Sequence, residues 1–131
     1  MKSFSKIYYF NAPLQEVFEA LTNPDIIEKW TGSVAFMDAR PGGKFSLWDD
    51  SINGKNVVIE PNRIVQDWKE ETWEKYSRVT INLRETPNGT ELELIHENIP
   101  PLALYNIKQG WDESFMLPLK DLLEEKPEEE D

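Results

Sequence analysis

The sequence predicts an α+β domain in which a curved antiparallel sheet wraps round a long C-terminal helix. Between Ser33 and Glu97 the apolar residues mostly alternate with polar ones, which is typical of strands. From Leu102 to Leu123 they recur every three or four positions, as on one face of an α-helix. Because one long helix follows a run of strands, we expect the sheet to close on that helix.

The N-terminal part predicts one strand followed by two short helices. Residues 2–10 are rich in aromatic and β-branched side chains, which favours a strand. Residues 14–21 carry apolar side chains with the spacing of an amphipathic helix. The sequence Asn23-Pro24-Asp25 supplies an N-cap and a first-turn proline for a second helix, which Gly32 ends.

Six antiparallel strands are predicted next, because turn residues separate short stretches of alternating hydrophobicity. Asn53-Gly54 is predicted to be a hairpin turn, since both residues readily adopt positive φ. Pro61-Asn62 and residues 86–89 are predicted to be further turns. The predicted strands cover residues 34–37, 44–50, 56–60, 63–68, 76–84 and 91–97.

The last helix contains a proline well inside its predicted length. Pro118 cannot donate a backbone hydrogen bond, and its ring crowds the preceding turn. We therefore expect the helix axis to bend between Ser114 and Pro118.

Composition and charge limit the classes of partner. The chain has 131 residues, 25 acidic against 14 basic side chains and a formal net charge of -11. Nucleic acid and anionic membranes would be repelled, so neither is expected as a partner. The acids crowd towards the end, and we expect a single domain over residues 1–124 and an acidic, disordered tail over residues 125–131. The absence of cysteine, of a signal peptide and of a long apolar segment favours a cytoplasmic protein.

No constellation of catalytic or metal-binding residues is recognisable. His96 is the only histidine, and Asp49 and Asp50, if they lie on a strand, point to opposite faces. No serine has the surroundings of a nucleophile, and Gly42-Gly43 is not followed by the residues of a phosphate loop. We therefore expect no cofactor, no metal and no catalytic residue. His96 or a buried carboxylate acting as a base is the least favoured alternative.

The aromatic residues instead favour an apolar binding site. Five tryptophans and six phenylalanines exceed what the core of so small a domain requires. A strongly curved sheet against one helix commonly leaves a cavity, which could hold a small apolar ligand. The residues predicted to form its wall are Phe45, Trp68, Ile81, Leu94, His96, Trp111 and Phe115.

Several short motifs resemble those of a known family. They are Asn11-Ala12-Pro13 with Val17-Phe18, Ala20-Leu21-Thr22, Trp30, Gly42-Gly43 with Phe45, Ile52 with Gly54, Pro61 with Ile64-Val65-Gln66 and Trp68, Gly89-Thr90 with Leu92, Pro100, and Gly110-Trp111. Their order and spacing over residues 5–123 resemble the C-terminal domain of the activator of the 90-kDa heat-shock protein ATPase.

The resemblance implies a helix-grip, START-like (SRPBCC) fold of the order β-α-α-β6-α. It also implies a non-enzymatic module that binds a heat-shock chaperone or regulates it. The N-terminal activating domain of the full co-chaperone has no counterpart in this sequence, so chaperone binding is the expected part of that activity. Wider relatives bind small hydrophobic ligands between sheet and helix, or act as cyclases. These remain the two alternatives.

Overall fold

A seven-stranded antiparallel sheet forms one side of the molecule in the computed structural model, which describes residues 1–124. The predicted acidic tail, residues 125–131, lies outside the described residues. The strands are β1 (Lys2–Phe10), β2 (Phe36–Met37), β3 (Lys44–Leu47), β4 (Ile52–Glu60), β5 (Arg63–Glu70), β6 (Ser77–Thr86) and β7 (Gly89–Ile99). Their spatial order is β1-β7-β6-β5-β4-β3-β2.

Two short helices separate β1 from β2, as predicted. Helix α1 covers Leu14–Thr22 and α2 covers Pro24–Thr31. The side chain of Asn23 accepts a hydrogen bond from the backbone N–H of Asp25, which caps α2. Gly32 ends α2 in the left-handed conformation, with φ at 71°.

The C-terminal helical region has four successive parts. They are a 3₁₀ turn (Pro101–Ala103), α3 (Leu104–Gly110), a π-helix (Trp111–Met116) and α4 (Leu117–Leu123). The predicted order β-α-α-β6-α and the α+β helix-grip class are confirmed. None of the helices in this described part has the length and apolar character needed to cross a bilayer.

The predicted disturbance before Pro118 takes the form of the π-helix. The N–H of Leu117 donates to the carbonyl of Asp112, five residues earlier, rather than to the residue four earlier. Pro118 follows immediately and has no N–H to continue an α-helical pattern across this point. The hydrogen bonding therefore changes where the sequence predicted. The bend of the axis itself stays a prediction.

The prediction of a hairpin turn at Asn53-Gly54 is wrong. Both residues lie inside β4, where Asn53 pairs with Ser46 and Gly54 pairs with Phe45. The turn between β3 and β4 consists of residues 48–51, and Trp48, Asp49 and Asp50 all have positive φ. A Cβ atom on Gly54 would overlap the carbonyl oxygen of Asp67. The glycine is therefore required for close strand approach, not for a turn.

Two further expectations about this region need correction. The predicted strand at 34–37 is only two residues long, because the backbone of Val34 and Ala35 is engaged elsewhere: the carbonyl of Val34 accepts from the N–H of Asp49, and the N–H of Ala35 donates to Glu28. Asp49 and Asp50 lie in the turn rather than on a strand.

One hydrophobic core joins the concave face of the sheet to the helices. It is formed by alternate residues of β5, β6 and β7, such as Ile64, Ile81 and Leu92, together with Val17 of α1 and Leu119 of α4. All five side chains are buried. At the end of the sheet near β3 and β4, the core gives way to the aromatic residues described below.

Candidate functional site

An open pocket of about 410 Å³ lies between the C-terminal helical region and the sheet. One side is contributed by α3 and the π-helix, and the other by β4, β5 and the turn at residues 48–51. Its apolar wall consists of Trp48, Ile52, Trp68, Ile107, Trp111 and Phe115. Its polar wall consists of Ser51, Glu70, Asn106 and Ser114. Gly110 completes the lining.

An aromatic cluster is defined here as Trp30, Trp48, Trp68, Trp111 and Phe115. Its last four members line the pocket, and Trp30 packs behind them against Trp48 and Phe115. The rings of Trp68 and Trp111 are stacked, with centroids 4.9 Å apart and planes 16° apart. Phe115 lies 4.4 Å from Trp111 and 4.7 Å from Trp30, measured between ring centroids. Contacts between aromatic rings stabilise the packing beyond the burial of apolar surface, so the apolar wall of the pocket is preformed in the absence of a ligand.

The backbone around the pocket is unusual on both sides. Trp48 has a φ of 51°, in the left-handed region that residues with a Cβ atom rarely occupy. On the opposite side, Trp111, Ser114 and Phe115 belong to the π-helix, whose wider turn is uncommon in proteins. Strained turns and π-helical segments cost free energy, which the rest of the fold must offset, and both are found most often at functional sites.

Two polar groups of the pocket are poorly solvated. Burial raises the pKa of the Glu70 carboxyl above its ordinary value, which favours the neutral form that can donate a hydrogen bond. The indole Nε1 of Trp68 is sealed from solvent and has no acceptor among the described residues. An unpaired buried donor costs on the order of 1–3 kcal/mol, so this indole N–H lowers the stability of the packing around it.

His96 lies behind the aromatic cluster in a closed hydrogen-bond network. The indole N–H of Trp111 donates to His96 Nδ1 over 2.9 Å, so the imidazole proton resides on Nε2. That Nε2–H donates to the Ser77 hydroxyl over 2.8 Å, and the hydroxyl donates in turn to the Trp68 carbonyl. Burial lowers the pKa of His96 to about 3. Both ring nitrogens are occupied, so this histidine has no lone pair free to act as a base.

The seven predicted wall residues fall into two groups. Trp68, Trp111 and Phe115 line the pocket. Phe45, Ile81, Leu94 and His96 are buried in the core and do not line it. The alternation of β6 and β7 correctly predicted that Ile81, Leu94 and His96 face the C-terminal helical region. The three side chains are fully packed there, so they leave no open space for a ligand.

Sequence reasoning missed most of the remaining lining. Trp48 was assigned to a strand, and its inward position depends on the left-handed turn that follows β3. Ser51, Glu70 and Asn106 are single polar residues with no pattern around them. Ser114 could have been found, since it lies three positions after Trp111 on the same helix face. Gly110, directly before Trp111, has no such spacing to a predicted wall residue.

Comparison with known proteins identifies the family. The family described as "Activator of Hsp90 ATPase homolog 1-like protein" matches residues 11–124. The chain belongs to this family. Activator of 90 kDa heat shock protein ATPase homolog 2 from Mus musculus is 30% identical over 118 residues, which cover 88% of this chain and 36% of the mouse protein. The chain therefore spans about a third of the length of this curated relative.

Solved structures give the same fold. An HSP90 activator from Plasmodium falciparum superposes with a TM-score of 0.87 and 32% identity, covering 94% of this chain and 96% of that chain. A protein from Mesorhizobium loti superposes with a TM-score of 0.83 over 96% of this chain and 99% of that chain. Its 23% identity supports the shared fold alone.

Family and fold together support a regulatory or ligand-binding START-like domain. Within residues 1–124 no group of three or more histidine, aspartate or glutamate side chains is arranged to hold a metal ion.

Proposed function

We propose that this chain is a non-enzymatic module that binds a 90-kDa heat-shock chaperone and regulates its ATPase. The observation that carries the proposal is the similarity to the Plasmodium falciparum protein, which is described as an HSP90 activator. The similarity covers 96% of the solved chain of that protein, at a TM-score of 0.87.

Titration of the complete chain into a purified eukaryotic 90-kDa heat-shock protein tests this function. We expect saturable binding, measured by isothermal titration calorimetry with and without a non-hydrolysable ATP analogue, and a change in the ATP turnover rate. The mouse relative serves as the positive control for both measurements. Absence of binding in every nucleotide state, under conditions in which the mouse protein binds, would contradict the proposal.

The second candidate function is binding of a small, largely apolar ligand in the pocket. A volume of about 410 Å³ lies within the usual range of ligand pockets, roughly 300–1,000 Å³. The stacked rings offer an apolar surface, and the hydroxyls of Ser51 and Ser114 and the amide of Asn106 offer hydrogen-bond donors to an acceptor on the ligand. An uncharged aromatic molecule with one carbonyl group matches this combination.

A substitution that fills the pocket tests this second function. A Cβ atom on Gly110 would meet no other atom within 4 Å, so Gly110→Leu can place its side chain in the open space without a backbone clash. We expect the variant to lose binding of the neutral fluorescent probe 1-aminoanthracene. Gln109→Leu adds a comparable side chain to the neighbouring exposed position and should leave binding unchanged. Equal probe binding by wild type and Gly110→Leu would rule out the pocket as the site.

A further inference from the structure

A second concavity, the convex-face groove, lies on the outer face of the sheet and is separate from the pocket. Its volume is about 570 Å³, and residues from β2, β3, β4 and β5 line it. Strand pairing brings Phe36 next to Ser46 and Lys44 next to Lys55. Tyr76, just before β6, closes one end. These side chains point away from the core because their neighbours Met37, Phe45 and Ser77 point into it.

The groove combines exposed aromatic rings with unpaired positive charge. Phe36 is 58% exposed and Tyr76 is 48% exposed. Lys44 and Lys55 are exposed and form no salt bridge with any described residue. The ammonium of Lys69 lies 5.5 Å from the centre of the Tyr76 ring.

The acidic residues of the groove do not cancel this charge. Asp67 is already bound by Arg78, with 2.9 Å between the Nε and Oδ1 atoms. Asp50 is the other carboxylate in the lining. Three lysines therefore face one free carboxylate, in a chain whose formal net charge is -11.

The pairing of Lys44 with Lys55 is unfavourable for folding. These residues lie directly opposite each other on adjacent antiparallel strands, where like charges repel. On its other side Lys55 lies opposite Asp67, but that carboxylate is already bound by Arg78. A bound carboxylate would offset the repulsion between the two lysines further, so the arrangement suits an anionic partner.

We propose that the convex-face groove docks a segment of another protein in which acidic residues flank an apolar side chain. The apolar side chain would pack against Phe36 and Tyr76, and the flanking carboxylates would lie against Lys44 and Lys55. Charge complementarity argues for an acidic peptide, and the aromatic rings supply the anchor that such short segments need. A nucleic acid strand is disfavoured because, unlike a short peptide, it would extend beyond the groove over Glu91, Glu93 and Glu97 of β7 on the same face.

A peptide with one phenylalanine flanked on both sides by glutamates is the probe for this site. In titrations monitored by amide chemical shifts of the complete chain, we expect the largest changes at Phe36, Lys44, Lys55 and Tyr76. A peptide with glutamines in place of the glutamates, and one with alanine in place of the phenylalanine, should both bind more weakly. Shift changes centred elsewhere on the protein would overturn the assignment.

Matched charge reversals separate a specific site from general electrostatics. Lys44→Glu/Lys55→Glu should weaken peptide binding by about tenfold. Lys2→Glu/Lys29→Glu changes the net charge by the same amount outside the groove and should leave the affinity nearly unchanged. Equal losses in both variants would overturn the proposal, as would tighter binding of a single-stranded oligonucleotide than of the peptide. Self-association of the wild type that the first variant abolishes would also overturn it, since the groove would then hold a second copy.

A single reversal distinguishes a docking role from a structural one. Lys44→Glu replaces the repulsive pair by an attractive one and leaves Asp67 opposite Lys55, so its melting temperature should rise while its affinity for the peptide falls. A lower melting temperature together with weaker binding would indicate a structural lysine instead. None of these measurements uses a chaperone, so their outcome does not depend on whether the proposed chaperone interaction is correct.

Discussion

His96 shows how one buried residue couples the sheet to the C-terminal helical region. It belongs to β7, bonds Ser77 of β6 through Nε2 and receives the indole N–H of Trp111 through Nδ1. Because no partner of the ring is negatively charged, protonation would place an uncompensated charge in the core. The network is therefore stable only with a neutral imidazole.

The first prediction concerns the pH dependence of stability. The folded pKa of His96, about 3, lies below the ordinary value of 6.5, so the unfolded state binds the proton more readily. The contribution of His96 is fully present above about pH 6.5 and is lost as the pH falls towards 3. Between pH 7.5 and pH 5, we expect the wild type to lose about 2 kcal/mol of unfolding free energy through this residue.

Urea denaturation of the wild type and of His96→Gln over this pH range measures the effect. The variant is less stable at pH 7.5 because glutamine cannot reproduce both hydrogen bonds, but it lacks the titrating group. The free-energy difference between the two proteins should therefore shrink by about 2 kcal/mol on going to pH 5. Parallel curves for the two proteins would show that His96 is protonated in the folded state or is exposed to solvent.

At the scale of elements, two glycines that look alike in the sequence have opposite structural meaning. Gly54 lies where β4 and β5 approach so closely that a methyl group would overlap the Asp67 carbonyl and touch the Phe45 ring. Gly110 ends α3 with ordinary helical φ and open space around it. Their substitutions by alanine should therefore have opposite effects.

We expect Gly54→Ala to destabilise the fold by about 3 kcal/mol or more, because β4 and β5 must move apart to admit the methyl group. Gly110→Ala should stabilise it by about 0.5–1 kcal/mol, since alanine loses less backbone entropy in a helix. Thermal and urea unfolding of the two variants measure both values. Two destabilised variants would mean that the π-helix depends on the flexibility of Gly110. If neither substitution changes the free energy of unfolding, β4 and β5 lie far enough apart at Gly54 to admit a methyl group.

At the scale of the whole molecule, negative charge opposes compactness. The formal net charge is -11, and the sequence pI is about 4.5. Folding concentrates these charges, and salt screens their mutual repulsion. We therefore expect the urea midpoint at pH 7 to rise when sodium chloride is increased from low to physiological ionic strength.

The control for this prediction is the same salt titration near pH 4.5, where the net charge approaches zero and the rise should largely disappear. A midpoint that falls with salt at pH 7 would show that the five salt bridges within residues 1–124, such as Lys6–Asp112, outweigh the overall repulsion.

The boundary between what could and could not be predicted follows from the range of the interactions. The helix over 24–31, the turn at Pro61-Asn62 and the alternation of β6 and β7 depend on neighbours a few residues away, so they were predicted correctly. Asn53-Gly54 has the same local preference for a turn, but the approach of β5, more than ten residues later, overrides it.

The sequence by itself determined the order of elements, the faces that pack inwards and the class of fold, because periodicity records burial. The tertiary structure alone decided which inward residues pack solidly and which leave space. Ile81 and Leu94 are packed tightly within the core. Trp48, Glu70 and Gly110 instead line one pocket, although sixty-two positions separate the first from the last. Likewise, only strand register places Lys44 beside Lys55 and Phe36 beside Ser46. Such contacts are long-range, and no local pattern in the chain encodes them.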